Sequence, residues 1–251
     1  MKKNILITGS SQRIGKELAL YFAKYGWNIA LHFNKSKIPA YKLKKDIEKL
    51  NVKCLVIKAD LSKVTEVKKI ISKAKKILGG INCIINNASI FNEDNIENFN
   101  LKNWEQHIKI NLLAPALLIK EFAKKNKDTQ NKSIINILDQ RIFKLTPHFF
   151  SYTISKTALH TLTKTSAMKL APKIRVNAIA PGPVMKNKRQ STNHFKKQTL
   201  NTLLKKPVKI KDICDVAFLF ANSETITGQI IAIDSGQSLN WKTPDVLGIK
   251  E

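Results

Sequence analysis

The feature that most constrains this sequence is a regular alternation of short apolar runs with longer segments of helical apolar spacing. The runs predict seven β-strands, at residues 4–8, 28–33, 53–58, 83–86, 133–138, 175–178 and 230–234. Strands that alternate with helices pair in parallel, because each connection crosses one face of the sheet before the next strand begins. Residues 1–251 are also an ordinary length for one domain. We therefore predict a single α/β domain with a doubly wound, seven-stranded parallel sheet flanked by helices.

The first predicted strand leads into a glycine turn and the start of a helix. Residues 5–15 read Ile-Leu-Ile-Thr-Gly-Ser-Ser-Gln-Arg-Ile-Gly, so Gly9 ends the apolar run and helical spacing begins at Ile14. Free N–H groups and the helix dipole attract a phosphate to such a helix start. The spacing departs from the usual Gly-x-Gly-x-x-Gly fingerprint and reads Thr-Gly-x-x-x-Arg-Ile-Gly. We expect Gly9, Arg13, Ile14 and Gly15 to bind a dinucleotide cofactor.

A tyrosine and a lysine four residues apart form the second candidate site. Tyr152 and Lys156 would share one face of a helix, although most pairs at this spacing are ordinary surface residues. An ammonium group one turn away favours the phenolate, so we expect Lys156 to lower the pKa of Tyr152 from its usual value of about 10. The pair would then exchange a proton with a substrate during hydride transfer. Asp139, at the end of the fifth strand, would repel a developing alkoxide and therefore favours reduction of a C=N bond.

Further motifs follow in order along the chain, and each is weak alone. They are Asp60-Leu61, Asn86-Asn87-Ala88-Ser89, Asn111, Asn177-Ala178-Ile179-Ala180-Pro181-Gly182, Thr227-Gly228-Gln229 and Asp234-Ser235-Gly236. With the glycine turn and the tyrosine–lysine pair, they cover essentially the whole chain. The sequence therefore resembles the short-chain dehydrogenases/reductases. Within that superfamily it is similar to the pteridine reductases and dihydromonapterin reductases, because Asp139 replaces the usual serine and Arg13 replaces the usual middle glycine of the turn. Phe91 also falls where the pteridine reductases hold an aromatic ring.

The resemblance implies a Rossmann-like fold and assigns roles to individual residues. The implied catalytic residues are Asp139, Tyr152, Lys156 and Asn111, the last supporting the lysine through a water. The implied substrate residues are Arg13, Ser89, Phe91, Asp139 and Tyr152, with Phe91 stacking on a pterin ring. Besides those of the glycine turn, the implied cofactor residues are Asp60, Leu61, Asn87, Ala88, Ser89, Pro181 and Gly182.

The end of the second strand indicates which nicotinamide cofactor is used. Proteins that prefer NAD place an acidic residue near this point to bind the ribose 2′-hydroxyl. No acidic residue lies between Trp27 and Asp46. Asn34, Lys35 and Ser36 instead offer hydrogen-bond donors and a cation suited to a 2′-phosphate. We therefore expect NADPH as the cofactor.

Three functions remain open at this point. The first is NADPH-dependent reduction of a dihydropterin or dihydrofolate to the tetrahydro form, favoured by Asp139 together with Phe91. The second is a carbonyl reductase of the 3-oxoacyl-thioester type, which is disfavoured because residue 139 is not serine. The third is a catalytically idle NADPH-binding protein, which the intact Tyr152, Lys156 and Asn111 argue against.

Composition limits the partners that we expect. The formal net charge is +26, but the basic residues are spread over the predicted helices and are not gathered into a stripe, so we expect no specific nucleic-acid partner. Cys54, Cys83 and Cys214 are widely spaced within apolar runs, which predicts reduced core residues and no metal site. Neither a signal peptide nor a membrane span is expected, so we expect a cytoplasmic protein.

The last expectations concern assembly and two loosely patterned segments. Helices predicted at 104–125 and 152–171 carry apolar residues on more than one face, among them Leu112, Leu113, Ala116, Leu117, Ala158, Leu159 and Leu162. Such a surplus needs a second partner, and the resemblance implies a homotetramer. The resemblance also implies that residues 185–206 form a lid over the substrate. The tail, residues 239–251, is expected to lie against a neighbouring subunit.

Overall fold

The protein is built around a twisted sheet of parallel strands. A computed structural model describes residues 2–126, 131–186 and 190–241, and seven strands lie within these ranges. They are Asn4–Ile7 (β1), Asn28–Phe33 (β2), Cys54–Lys58 (β3), Cys83–Asn86 (β4), Lys132–Ile137 (β5), Ile174–Pro181 (β6) and Ile230–Ile233 (β7). Their spatial order is β3-β2-β1-β4-β5-β6-β7, and every neighbouring pair is parallel. The predicted strands and their parallel pairing are confirmed.

Helices cover both faces of this sheet. Within the described ranges they are Arg13–Lys24 (α1), Lys37–Glu48 (α2), Val64–Leu78 (α3), Leu101–His107 (α4), Ala114–Lys125 (α5), Phe150–Leu170 (α6), Thr192–Leu200 (α7) and Ile210–Asn222 (α8). Side chains alternate along the strands: Ile5 and Ile7 pack with α1, α2 and α8, whereas Leu6 packs with α3 and α5. Each face therefore has its own apolar core, which agrees with the predicted doubly wound arrangement.

The order of the strands reverses between β1 and β4. From β1 the chain moves outward through β2 and β3, and from β4 it moves outward in the other direction. In sheets of this kind a crevice opens beyond the carboxyl ends of the two central strands, where the connections diverge. The glycine turn after β1 and the Asn-Asn-Ala-Ser segment after β4 both lie at this crevice, and so do the ends of β5 and β6.

The long helix predicted at 104–125 is interrupted by a wider turn. Residues Ile108–Leu113 form a π-helix between α4 and α5, and the buried Asn111 lies within it. Pro115 has no N–H to donate to the Asn111 carbonyl, so regular α-helical bonding cannot continue through this point. The widened turn presents the Asn111 side chain toward the neighbouring α6 and the loop after β4.

The described helices do not include one that is both long enough and apolar enough to cross a membrane. Cys54, Cys83 and Cys214 are buried and unpaired, as the sequence predicted. The segment predicted as a lid contains α7, and residues 187–189 of that segment lie outside the described part. Most of the predicted tail, residues 242–251, also lies outside it.

Candidate functional site

A cleft of about 780 Å³ opens at the reversal of strand order. Its floor is the glycine turn after β1, where two glycines allow the main chain to pack tightly. Gly9 has φ +62°, and a Cβ there would lie 2.9 Å from Ala88 Cα. A Cβ on Gly15 would collide with the Gly9 carbonyl oxygen and the Asn87 side chain. The turn therefore needs glycine at both positions to bring the start of α1 up to the cleft.

Side chains from two strands hold this turn in place. Thr8 Oγ1 accepts hydrogen bonds from the N–H groups of Asn87 and Ala88, both at 3.0 Å. Asn87 Nδ2 donates in return to the carbonyls of Thr8 and Gly9, at 2.8 and 3.1 Å. The side-chain amide of Asn87 therefore holds the floor of the cleft in place. These hydrogen bonds link the end of β1 to the end of β4.

A buried histidine also fixes the turn. His32 Nδ1 accepts the Gly9 N–H at 3.1 Å, and Nε2 lies 3.1 Å from the Ala59 carbonyl. Since Nδ1 must accept, the proton resides on Nε2, which donates to Ala59. Burial lowers the pKa of His32 to about 4, so the ring is neutral at physiological pH.

Arg13 connects the glycine turn to the segment that was predicted to form a lid. Its backbone lies in the left-handed region with φ +53°, where the family fingerprint has glycine. Its guanidinium donates to the carbonyls of Met185 and Lys186, at 3.1 and 2.9 Å. The side chain predicted to reach cofactor and substrate is therefore at the cleft, and in this structure it holds the beginning of the lid.

The predicted catalytic side chains meet on the opposite wall. Tyr152 Oη donates to Asp139 Oδ2 at 2.9 Å, and Asp139 Oδ1 accepts the Arg141 N–H at 2.9 Å. Lys156 Nζ donates to the Ile137 carbonyl at 2.7 Å and lies 5.7 Å from the Tyr152 ring centroid. β5 and α6 thus bring together a phenol, a carboxylate and an ammonium group.

The expected lowering of the Tyr152 pKa is wrong in this geometry. Burial raises the pKa of Tyr152 well above its usual value, and the Asp139 carboxylate raises it further. Lys156 cannot offset these effects, because its ammonium group is bonded to a main-chain carbonyl and burial lowers its own pKa to about 8. Burial also raises the pKa of Asp139, against the opposing hydrogen bonds from Arg141 and Tyr152. The phenol and the carboxyl group therefore both retain a proton more strongly than they would in water, which suits a proton donor.

An aromatic wall lies beside this cluster. The rings of Phe91 and Phe149 are stacked, with centroids 4.2 Å apart and planes at 8°. Tyr152 meets Phe91 edge-on at 4.6 Å, and Arg141 Cζ lies 4.6 Å from the Phe149 centroid. One face of Phe91 is therefore already covered by a residue that sequence analysis did not single out. Phe149 has φ +59° immediately before α6, a backbone conformation that no sequence pattern indicated.

Asn111 braces the substrate side of the cleft. Its Oδ1 accepts from Ser89 Oγ at 3.1 Å and from the Ile90 N–H at 2.9 Å. Its Nδ2 donates to Ser155 Oγ at 3.0 Å, one residue before Lys156. Asn111 was predicted to support Lys156 through a water. In this structure the Asn111 side chain makes its hydrogen bonds to Ser89, Ile90 and Ser155.

A second brace, absent from the sequence analysis, holds the start of α6. The buried Asp94 accepts the Ser151 N–H at 3.0 Å, and it also accepts the Ser151 hydroxyl. Asn103 Nδ2 donates to Asp94 at 3.0 Å, and Phe150 N–H donates to the Asp94 carbonyl at 3.2 Å. Asp94 thereby caps the helix that carries Tyr152. No local spacing could have indicated this cap, because it is 57 residues away in sequence.

The predicted cofactor residues fall into two groups. Those that line the cleft are Gly9, Arg13, Ile14, Gly15, Asn87, Ala88, Ser89, Pro181 and Gly182. The others, Asn34, Lys35, Ser36, Asp60 and Leu61, lie beyond its lining at the carboxyl ends of β2 and β3. The Asp60 carboxylate accepts a hydrogen bond from the Ser62 main-chain N–H. This hydrogen bond lowers the pKa of Asp60, and the nearby positive charge of Lys35 also lowers it.

Comparison with known proteins places the chain among oxidoreductases. A sequence profile described as short chain dehydrogenase matches residues 3–197. The 3-oxoacyl-(acyl-carrier-protein) reductase FabG of Staphylococcus epidermidis is 30% identical over 241 residues, which is 94% of this chain and 99% of that protein. Glucose 1-dehydrogenase of Gluconobacter oxydans is 29% identical over 96% of each chain.

Two solved structures match more closely in sequence. FolM alternative dihydrofolate reductase 1 from Brucella canis, complexed with NADP, is 37% identical with a TM-score of 0.94 over 97% of both chains. The same enzyme from Brucella suis, also in complex with NADP, is 36% identical with a TM-score of 0.93 over 97% of this chain and 98% of that one. Among the described residues, no group of histidine, cysteine and acidic side chains could hold a metal ion.

Proposed function

Because this chain belongs to the short-chain dehydrogenase family, we propose that it is an oxidoreductase that reduces a pteridine ring C=N bond. The product would be the tetrahydro form of a pterin or folate. The observation that carries the proposal is the 2.9 Å hydrogen bond from Tyr152 to Asp139 at the wall of the cleft. The carboxyl group there can deliver a proton to a ring nitrogen, whereas the ionised carboxylate would repel a developing alkoxide.

The cofactor is NADPH, which supplies the hydride. The glycine turn fits its diphosphate, since Gly9 and Gly15 leave no room for a Cβ and the start of α1 faces the cleft. Lys35 offers a cation at the end of β2, where an acidic residue would select NAD. Both FolM structures contain NADP, which supports the same choice here.

The residues of this chain would divide the proton transfer between them. Asp139 would give its proton to the ring nitrogen, and Tyr152 would replace that proton across their hydrogen bond. Lys156 would hold the cofactor ribose and keep a positive charge near the pair. Phe91 and Ser89 would position the flat pterin ring, since stacked rings gain about 0.5–1.5 kcal/mol beyond the burial of their area.

A carbonyl reductase acting on 3-oxoacyl thioesters is the second candidate. It is favoured by the 30% identity with the Staphylococcus epidermidis FabG reductase. It is disfavoured because Asp139 stands in place of a serine hydroxyl, and the ionised carboxylate would oppose the negative charge that develops on a carbonyl oxygen. Gln140, which is buried and also lines the cleft, carries an amide in place of a hydroxyl.

A substrate panel tests the two candidates together. NADPH oxidation is measured with dihydrobiopterin, dihydromonapterin, dihydrofolate and an acetoacetyl thioester, with Tyr152→Phe as the inactive control. We expect turnover of the pteridines and little turnover of the thioester. Fast thioester reduction with slow pteridine turnover would favour the carbonyl reductase. Tight NADPH binding without turnover of any of these compounds would indicate an idle binding protein.

A further inference from the structure

One cation at the cleft has a guanidinium group that does not touch the reacting pair, although its charge lowers the pKa of both Asp139 and Tyr152. In the described residues, the charged side chains along the cleft are Arg13, Arg141 and Lys156, with the acids Glu93 and Asp139. Both terminal nitrogens of Arg13 donate to lid carbonyls, and Lys156 donates to a main-chain carbonyl of β5. The guanidinium of Arg141 has so far been given no binding role.

Arg141 is fixed at the edge of the aromatic wall. Its main-chain N–H donates a hydrogen bond to Asp139 Oδ1, and its guanidinium Nη1 donates to Thr146 Oγ1 at 2.8 Å. Its Cζ lies 4.6 Å from the Phe149 ring centroid and 5.9 Å from that of Phe91. The contacts with the rings and with Thr146 orient the planar guanidinium, and the Thr146 bond uses only one of its five N–H groups. A half-buried, oriented arginine of this kind is suited to binding an anion from the substrate.

We propose that Arg141 binds a carboxylate of the substrate, so that the cleft prefers a pterin with an acidic tail over a pterin without one. This inference rests on the proposed pteridine reduction and narrows its substrate to the folate class. Phe91 contacts both Tyr152 and Arg141. A pterin held at Phe91 would therefore have the proton donor on one side and the guanidinium near its substituent.

The chemistry of a folate matches this arrangement. Its p-aminobenzoylglutamate tail adds one aromatic ring and one amide before its carboxylates, and the ring can continue the stack along Phe149 and Arg141. A guanidinium binds a carboxylate through two parallel hydrogen bonds, which an ammonium group cannot reproduce. The acidic Glu93 on the same cleft would repel a tail that lacked such a partner.

The experiment compares two substrates and three variants in the intact enzyme. Steady-state kinetics are measured with dihydrofolate, which carries the acidic tail, and with dihydrobiopterin, which does not. Arg141→Gln removes the charge, and Arg141→Lys keeps the charge without the planar fork. Lys144→Gln is the matched control, because it removes one positive charge from the same loop and its side chain does not line the cleft.

We expect Arg141→Gln to lower kcat/KM for dihydrofolate by about 10-fold or more, mainly through KM, as for loss of a charge-assisted hydrogen bond. Turnover of dihydrobiopterin should fall much less, and only because the Arg141 charge near Asp139 and Tyr152 is lost, while KM for NADPH should stay close to wild type. Arg141→Lys should recover only part of the loss, and Lys144→Gln should show none. Added salt should weaken dihydrofolate binding in the wild type more than in Arg141→Gln.

Equal losses with both substrates, or a raised KM for NADPH, would overturn the carboxylate subsite and leave the proposed reaction in place. So would an Arg141→Gln variant that reduces dihydrofolate as well as the wild type. If the wild-type enzyme reduces neither substrate, the proposed pteridine reduction is wrong, and the carboxylate subsite, which rests on it, is wrong as well. A thermal melt of each variant identifies any loss that is due to unfolding.

Discussion

The carboxylate of Asp139 is buried between two donors, the Arg141 N–H and the Tyr152 hydroxyl. The sequence predicted that Asp139 and Tyr152 would meet, because one ends a central strand and the other begins a helix at the same edge of the sheet. It could not predict the direction in which the Tyr152 pKa moves. That direction depends on burial and on the bond from Lys156 to a carbonyl, and neither is encoded in a four-residue spacing.

Replacing Asp139 by serine should separate substrate chemistry from cofactor binding. We expect Asp139→Ser to lower pteridine reduction by about 100-fold or more, the lower range for loss of an acid–base group. NADPH affinity should barely change, because Asp139 lies apart from the glycine turn. The checks are NADPH oxidation with dihydropterins and titration of NADPH fluorescence, with Asp139→Asn as a variant of matched size. Near-normal pteridine turnover in Asp139→Ser would remove the basis for the pteridine assignment.

Elements differ in how far the sequence could specify them. The strands were predictable because each is a short apolar run bounded by polar residues or glycine, although β6 is longer than predicted, by one residue at its amino end and three at its carboxyl end. The π-helix was not predictable from periodicity, since the apolar spacing of 104–125 is continuous and the only local signal was Pro115. The start of α6 was also missed. Its cap comes from Asp94, and tertiary contacts of this kind leave no local pattern.

His32 of β2 supports the glycine turn through its hydrogen bond with Gly9, and its contribution to the stability of the fold depends on pH. The folded-state pKa of His32 is about 4, below its ordinary value of 6.5, so the neutral ring stabilises the fold at pH above 6.5. This stabilisation is lost progressively as the pH falls from 6.5 toward 4, because the unfolded chain then binds a proton that the folded chain excludes. Between pH 7 and pH 5 the loss amounts to about 2 kcal/mol.

We expect His32→Gln to remove this part of the pH dependence. The free energy of unfolding is measured by urea denaturation at pH 7 and pH 5. The difference between wild type and His32→Gln should shrink by about 2 kcal/mol at the lower pH, since glutamine does not titrate. His148→Gln, which removes a histidine at an exposed position, is the matched control. An equal pH dependence in His32→Gln and wild type would contradict a neutral, buried ring.

The end of β2 should also set the preference for NADPH over NADH. An acid at position 35 would repel a 2′-phosphate and accept from a 2′-hydroxyl, so Lys35→Glu should reduce the ratio of the two kcat/KM values by about 10-fold or more. Lys42→Glu on the exposed side of α2 makes the same charge change farther along the chain and should leave the ratio unchanged. Equal use of both cofactors by the wild type would show that the absence of an acidic residue after β2 does not determine the choice between NADPH and NADH.

The surface of the whole molecule retains apolar groups that one subunit does not cover. Leu113 and Met168 are 38% and 79% exposed, and both belong to the helical segments that were expected to pair. Leu159, which was counted among the surplus apolar residues, is instead buried within the subunit at 1% exposure. β7 is an edge strand of the described sheet and is only half-buried. An apolar edge strand of this kind is normally covered by another chain or protected from pairing.

We propose that these two surfaces assemble the chain into a homotetramer, one through α5 and α6 and the other through β7. Light scattering at micromolar concentration should report a mass about four times the 28.4 kDa of the chain. A charge in the middle of an apolar contact is costly to bury, so Met168→Glu should lower the measured mass, whereas Lys42→Glu on α2 should not. Activity should follow the mass if assembly stabilises α6, since that helix carries Tyr152 and Lys156. A fully active monomer would contradict this assembly and would mean that the exposed side chains of α6 have no partner in solution.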